Sequence, residues 1–329
     1  MARARVRRPR HFHVRGVRPL CRHRGAETRF RAGSDHACRA QAGHDSVTGG
    51  GWFEEAIHAH ATQKLEITEI LYSSDTELQK IVIFENPTFG RVMTLDNVVQ
   101  VTEGDEFIYH EMMAHVPILA HGAVRDVLIV GGGDGGLLEE VLKHPVERAT
   151  MVEIDRSVVD LARRYLPSIC KGAFDDPRAE LVIANGAHFV AGTDARYDVV
   201  LIDSTDPIGP GEILFQREFY AGCKRCLKPG GILVTQNGVA FVQGEELTSS
   251  WRHFNALFAD AAAYAVAVPT YIWGFMALGW ASDDPAHRRR PLATIEKRHA
   301  AAGLDTRYYN PEIHLGAFAL PTYMKELMR

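Results

Sequence analysis

Val127-Leu-Ile-Val130 runs straight into Gly131-Gly-Gly-Asp-Gly-Gly136, and a helical stretch follows over 137–143. A short apolar strand, a glycine turn and a helix, in that order, are what a nucleotide-binding βαβ unit requires. Glycine lets the backbone turn tightly and approach a ligand closely. A turn of this kind also serves when the only need is close packing of helix on strand. Glu153 supplies the second sign. It lies in the next apolar run, 149–154, 20 residues beyond Gly133. An acid there can accept hydrogen bonds from both hydroxyls of a ribose. Asp134 then narrows the ligand. A carboxylate inside the turn repels pyrophosphate, which a helix N-terminus otherwise favours, and it suits a cation. A sulfonium nucleoside such as S-adenosylmethionine fits that charge. The expected chemistry moves from hydride transfer to alkyl transfer, and an NAD dehydrogenase is disfavoured.

Outward from the turn, apolar strands are expected at 127–130, 149–154, 180–184, 197–202 and 231–235. Helices at 137–143, 157–165, 187–191 and 216–227 separate them. Alternation of this kind builds a parallel sheet. A helix over 245–258 is followed by strands at 265–268 and 275–280. Their link is too short for a helical crossover, so they pair antiparallel. Upstream, 65–72, 78–84, 90–95 and 98–102 read as a small antiparallel β unit. Ser73-Ser74-Asp75 and Asp96-Asn97 mark its turns. A helix over 105–115 should stop at Pro117. The expected fold is α/β: a Rossmann-like parallel sheet with an antiparallel last strand, behind a small N-terminal antiparallel β domain. The divisions are 1–50, 51–116 and 117–329.

Of 329 residues, 46% are hydrophobic, enough for a large core. No apolar run reaches eighteen residues, which argues against a membrane span. Five scattered cysteines argue for a reducing compartment, and a cytoplasmic location is expected. Cys223 and Cys226 form a lone CxxC, read as buried small apolar residues rather than a metal or redox pair. Charge is unevenly spread. Residues 1–50 hold twelve arginines against three acids, and the remainder holds 25 bases against 38 acids. The leader lacks apolar periodicity and is expected to be disordered. An organellar transit peptide and a nucleic-acid-binding arm are alternatives to an extension without function, which is favoured. No nucleic-acid or membrane partner is expected.

Two acids follow the fourth strand of the parallel sheet, in Asp203-Ser-Thr-Asp-Pro-Ile-Gly-Pro-Gly-Glu212. Both Asp203 and Asp206 can be turn residues. Functional side chains of open α/β sheets nevertheless gather at the carboxyl ends of strands. Amine alkylation needs such groups. A primary amine has a pKa of about 10 and arrives protonated. One carboxylate can hold the ammonium and accept its proton during attack. A second can help neutralise a dication, and an acidic body draws a polyamine in.

Glu103-Gly-Asp-Glu-Phe-Ile-Tyr-His-Glu-Met112, the glycine turn, Val152-Glu-Ile-Asp155, the 203–212 segment and Ile313-His-Leu-Gly-Ala-Phe-Ala-Leu-Pro321 together resemble spermidine synthases, particularly bacterial ones. The resemblance runs from about Trp52 to the C-terminus. It implies a methyltransferase-like Rossmann domain and aminopropyl transfer from decarboxylated S-adenosylmethionine to putrescine. Spermidine and methylthioadenosine are the implied products. It also implies no metal and no bound cofactor beyond that co-substrate, and a homodimer or homotetramer. Residue roles follow from the resemblance. Asp203 is the implied base and Tyr109 a residue positioning the attacked amine. Asp134 would anchor the aminopropyl amine, and Glu153 the ribose. Gln79, Asn185, Gly186 and Pro210 would line the nucleoside side. His110, Asp206, Gln236 and Tyr271 would contact the polyamine, with Trp52 as an aromatic lid.

Three positions depart from the family pattern. Asn185-Gly186 stands where Asp-Gly is usual; the amide oxygen still accepts from an adenine amino group but without charge assistance. Gly104 stands where arginine is usual. Trp273 stands where a small residue is common, and its bulk can shorten or reshape a diamine channel. Cadaverine, agmatine or spermidine as acceptor, a putrescine N-methyltransferase, and a non-catalytic polyamine or nucleoside sensor are the rival functions.

Overall fold

The computed structural model describes residues 51–329 apart from 59, 77 and 208, and leaves the side chains of 57, 58, 209 and 210 aside. The basic leader lies outside the described residues.

Six strands come first: β1 (Gly51–His58), β2 (Ala61–Ile67), β3 (Glu69–Asp75), β4 (Lys80–Asn86), β5 (Gly90–Leu95) and β6 (Val98–Thr102). β1 and β2 form a hairpin, and β3 to β6 form a separate antiparallel sheet in sequence order. The run expected as one strand over 65–72 is therefore two strands in two sheets, broken at Thr68. Ser73-Ser74-Asp75 does not turn. It continues β3 against Val82, Ile81 and Lys80. The Asp96-Asn97 turn is present, with φ of 49° and 62°, the left-handed values a tight hairpin needs.

Side chains alternate across a strand, and β4 uses both faces. Ile81 and Ile83 face a cluster with Val158, Leu161 and Ile169. Phe84 faces the hairpin, where Phe53 lies 5.4 Å from it, ring to ring. β6 sends Val99 to the hairpin cluster and Val101 to the other, although both have the same parity. A bulge reconciles them: Met93 pairs Val101 while Thr94 pairs Val99.

α1 (Glu106–His121) leads into the larger sheet. It does not stop at Pro117. Pro117 sits inside it, and Gly122 closes it at φ 81°. An internal proline costs a helix about 3 kcal/mol. Every residue from Ile108 to Ala120 is buried, and that packing outweighs the lost hydrogen bond.

The rest is β7 (Asp126–Gly131), α2 (Gly136–Leu142), β8 (Arg148–Glu153), α3 (Arg156–Tyr165), α4 (Pro167–Cys170), β9 (Ala179–Ile183), α5 (Gly186–Gly192), β10 (Tyr197–Asp203), α6 (Arg217–Cys226), β11 (Leu227–Val239), α7 (Gly244–Leu257), β12 (Asp260–Val266) and β13 (Met276–Ser282). The sheet order is β12-β13-β11-β10-β7-β8-β9. β7 to β11 run parallel, and β13 is antiparallel to both β11 and β12. The strand expected at 265–268 begins earlier, at Asp260. Its alanine run has low strand propensity, but end-to-end pairing with β13 holds it. Cys223 and Cys226 are buried in the core. Three helices unforeseen in the sequence close the chain: α8 (Leu292–Ala302), α9 (Pro311–Gly316) and α10 (Thr322–Leu327).

Candidate active site

The chain leaves β7 for β8 on one side and places β10 on the other, so strand order reverses at β7. Ligands of doubly wound sheets bind in the crevice at such a point. A cavity of about 330 Å³ lies there. Its wall holds Glu55, Asp96, Asp134, Glu153, Asp203 and Asp206, and no lysine or arginine among the described residues.

The glycine turn and β10 form the floor. Gly131 pairs with Asp203. Gly131 has φ 87°, and a Cβ there would lie 2.0 Å from the Asp203 carbonyl oxygen. The Gly132 N–H donates to that same carbonyl at 2.9 Å. At Gly133 a Cβ would come within 2.9 Å of Glu153 Oε2. The turn thus makes room for the end of β10 and for the acid of β8.

Tyr109, on α1, donates its phenolic hydrogen to Asp203 Oδ1 at 2.8 Å. Asp203 Oδ2 is shielded from solvent and has no hydrogen-bond partner. Burial and the nearby Asp134 carboxylate push the Asp203 carboxyl up to about 6, while His110 and the tyrosine bond pull it back. Such a group is ionised at neutral pH yet more basic than an ordinary aspartate. His110 stands next to Tyr109 on α1. Its Nδ1 lies 2.8 Å from Glu106 Oε2 and its Nε2 3.5 Å from Asp134 Oδ1. Burial disfavours its charged form, but Asp134, Glu106 and Asp203 outweigh burial and raise it to about 10. His110 is therefore a fixed cation beneath Asp134. Asp134 also accepts the Gly136 N–H at 2.7 Å.

On the β8–β9 side, burial raises Glu153 to about 7 against two backbone donors. Gln79 reaches over from the β3–β4 connection and donates to Asp155 Oδ2 at 2.8 Å. The Asn185 amide oxygen caps α5, accepting the His188 N–H at 3.1 Å. Gly186 follows it in the cavity wall. Pro210 belongs to a side chain outside the described residues.

Asp206 is clasped by two amides. Gln243 Nε2 donates to its Oδ2 at 2.9 Å, and Gln236 Nε2 to its Oδ1 at 3.4 Å. Gln236 also donates to the Ser204 carbonyl at 3.1 Å. Tyr271 meets Tyr109 edge-on, with ring centres 5.9 Å apart. Eleven of the thirteen candidate residues thus line one cavity. Trp52 does not. It points outward from β1, 65% exposed. Alternation along β1 turns Phe53 and Glu55 inward instead.

Glu55 is the residue that sequence reading missed. It is buried, accepts the Val99 N–H at 2.8 Å and the Gln63 amide at 2.7 Å, and lines the cavity. Burial, with the Asp206 carboxylate adding to it, raises its pKa. The signal was a carboxylate on the inward parity of a strand. Gln243 was likewise unforeseen. Among the described residues no cluster of three or more histidines, cysteines or acids is arranged to hold a metal.

A doubly wound sheet with an antiparallel last strand and an acid-lined cavity at its switch point defines a Rossmann-like group transferase. Residues 106–291 match the spermine/spermidine synthase domain, and 51–103 match the spermidine synthase tetramerisation domain. A polyamine aminopropyltransferase of Ruegeria sp. (strain TM1040) is 57% identical over 277 residues, 84% of this chain and 98% of that protein. Polyamine aminopropyltransferase 1 of Pseudomonas aeruginosa is 56% identical over 273 residues, 83% of this chain and 96% of its own length. A crystal structure of spermidine synthase with the transition-state analogue AdoDATO superposes with a TM-score of 0.80 at 38% identity, covering 84% of this chain and 94% of that one. The spermidine synthase of Thermotoga maritima gives 0.77 at 37% identity, covering 84% and 93%. The chain belongs to the spermine/spermidine synthase family, and it is an aminopropyl-transferring enzyme.

Proposed function

We propose that this enzyme transfers the aminopropyl group of decarboxylated S-adenosylmethionine to putrescine, giving spermidine and methylthioadenosine. The observation that carries this reading is the charge of the cavity: six carboxylates, with His110 as the counter-cation. That surface suits a cationic nucleoside and a diamine together. Asp134 holds the ammonium of the aminopropyl arm, and Glu153 takes the ribose hydroxyls. Gln79, Asn185, Gly186 and Pro210 surround the nucleoside.

The amine lies against Asp203 and Tyr109. Its nitrogen attacks the methylene next to sulfur. The N–C bond forms as the C–S bond breaks, and the bonding pair goes to sulfur, leaving a neutral thioether. The nitrogen gives its proton to Asp203, the group with the free oxygen and the raised pKa. Most of the rate then comes from positioning and deprotonation. Asp206, Gln236, His110 and Tyr271 hold the diamine, and Glu55 receives its far ammonium. No added metal or cofactor enters this scheme.

The chain works as a homodimer or homotetramer in the cytoplasm, with 51–116 as the β domain and 117–329 as the transferase domain. Support for the assembly is the match to a tetramerisation domain. Support for the location is that Cys170, Cys223 and Cys226 are unpaired and buried. No helix among the described residues is long and apolar enough to cross a membrane. The test is product analysis with decarboxylated S-adenosylmethionine and a panel of amines. Methylthioadenosine should appear fastest with putrescine. A clear preference for agmatine, cadaverine or spermidine would replace the acceptor, and methylated amine from S-adenosylmethionine would replace the reaction.

A further inference from the structure

The loop 267–275 joins β12 to β13, and one residue in it has a backbone that needs explaining. Trp273 has φ 80°, a region bulky side chains rarely enter. Such a conformation persists only where its surroundings over-determine it, and these outliers cluster at ligand sites. Core packing is not the cause, because Trp273 is 44% exposed.

Its position supplies a cause. Tyr271, Ile272 and Trp273 line the acidic cavity on one side. On the other they line an open hollow bounded by 267–269 and Gly274. These three residues are the partition between the two spaces. Hydrogen bonds fix where the partition stands. Gln63 Nε2 donates to Glu55 Oε2 at 2.7 Å and to the Thr270 carbonyl at 3.0 Å. The Tyr271 hydroxyl donates to the Gln100 carbonyl. The loop is thereby tied to the end of the cavity that Glu55 marks. Tyr271 is held by that bond and by its contact with Tyr109, which leaves Ile272 and Trp273, and Trp273 is the bulkier of the two.

We propose that Trp273 is the end wall of the acceptor site and sets the length of amine admitted. With the indole in place, the cavity is closed toward the hollow and takes a short diamine. Without it, cavity and hollow join, and the tail of a longer amine passes through to solvent. This inference rests on the acceptor role proposed above for the cavity.

Two variants test it. Trp273→Gly removes the wall and suits the backbone; Trp273→Ala removes the wall and keeps the positive φ. Both should raise kcat/KM for spermidine relative to putrescine roughly tenfold or more, the scale on which pocket-size changes act. Methylthioadenosine affinity should stay as in the parent. The thermal midpoint should rise in the glycine variant relative to the alanine variant, because glycine adopts φ 80° freely. An unchanged acceptor ratio in variants that bind methylthioadenosine normally overturns the end-wall role. Failure of the parent enzyme to release methylthioadenosine with any amine removes the acceptor reading itself, and the inference with it.

Discussion

Asp203 carries two opposed demands. Its burial and the nearby Asp134 carboxylate make its charge costly, and that cost makes it basic. Asp203→Asn should therefore cut turnover by roughly two to four orders of magnitude, the range for general-base loss. Methylthioadenosine affinity should survive. The sign for stability is the reverse. A carboxyl whose folded pKa is raised contributes stability below its unfolded value of 3.8 and loses it as pH rises through about 6. At pH 8 the ligand-free asparagine variant should melt higher than the parent. Near-normal turnover, or a lower midpoint at pH 8, would count against the role given to Asp203. In the parent, kcat/KM for the amine should fall as pH drops through about 6, and that limb should vanish in the variant.

The elements carry a different pH signature. His115 of α1 and His144, just beyond α2, lie 2.9 Å apart, Nδ1 to Nε2, in the core. Burial holds both near 3, from an ordinary 6.5, with Lys143 and His299 adding to it. The folded pKa values are depressed, so the unfolded chain takes up protons first. Stability present above pH 6.5 is lost as pH falls toward 3, by about 1.4 kcal/mol per pH unit for each ring. His144→Gln should show a shallower acid slope in urea titrations at pH 7, 6 and 5. Equal slopes in parent and variant would mean that other groups drive acid unfolding. α1 also shows what local signals omit. The stop at Pro117 was a sound inference from one residue, but the burial that overrides it comes from the sheet and helices packed around α1. Thr68 likewise gives no warning that two sheets part there. Strands of the parallel sheet were legible because both their faces are apolar. Glu55 was not, because its meaning depends on which face of a lone hairpin meets a cavity whose other walls come from elements as distant as β7, β10 and β11.

Across the whole molecule, the acid excess gives the proposed diamine a field to follow. The chain from residue 51 onward holds 38 acids against 25 bases, and the cavity concentrates that sign. Attraction over such distances is screened within about 8–10 Å at physiological salt. Raising salt should lower kcat/KM for a doubly charged diamine while leaving the binding of uncharged methylthioadenosine nearly constant. Parallel loss of both would assign the salt effect to the fold rather than to steering. The glycine turn, the acid of β8 and the two aspartates after β10 were readable because each sits at a strand end, where position and chemistry coincide. The sequence marked Trp273 as bulk able to shorten or reshape a diamine channel, and its positive φ and its place between two spaces add where that bulk stands. The turn itself has a history-laden consequence. Gly131 leaves only 2.0 Å between an absent Cβ and the Asp203 backbone carbonyl, so no heavier residue can arise there without displacing the backbone that carries the Asp203 carboxylate. Drift toward a different nucleoside and drift toward a different amine are thus bound into one inheritance, and neither preference can wander far alone.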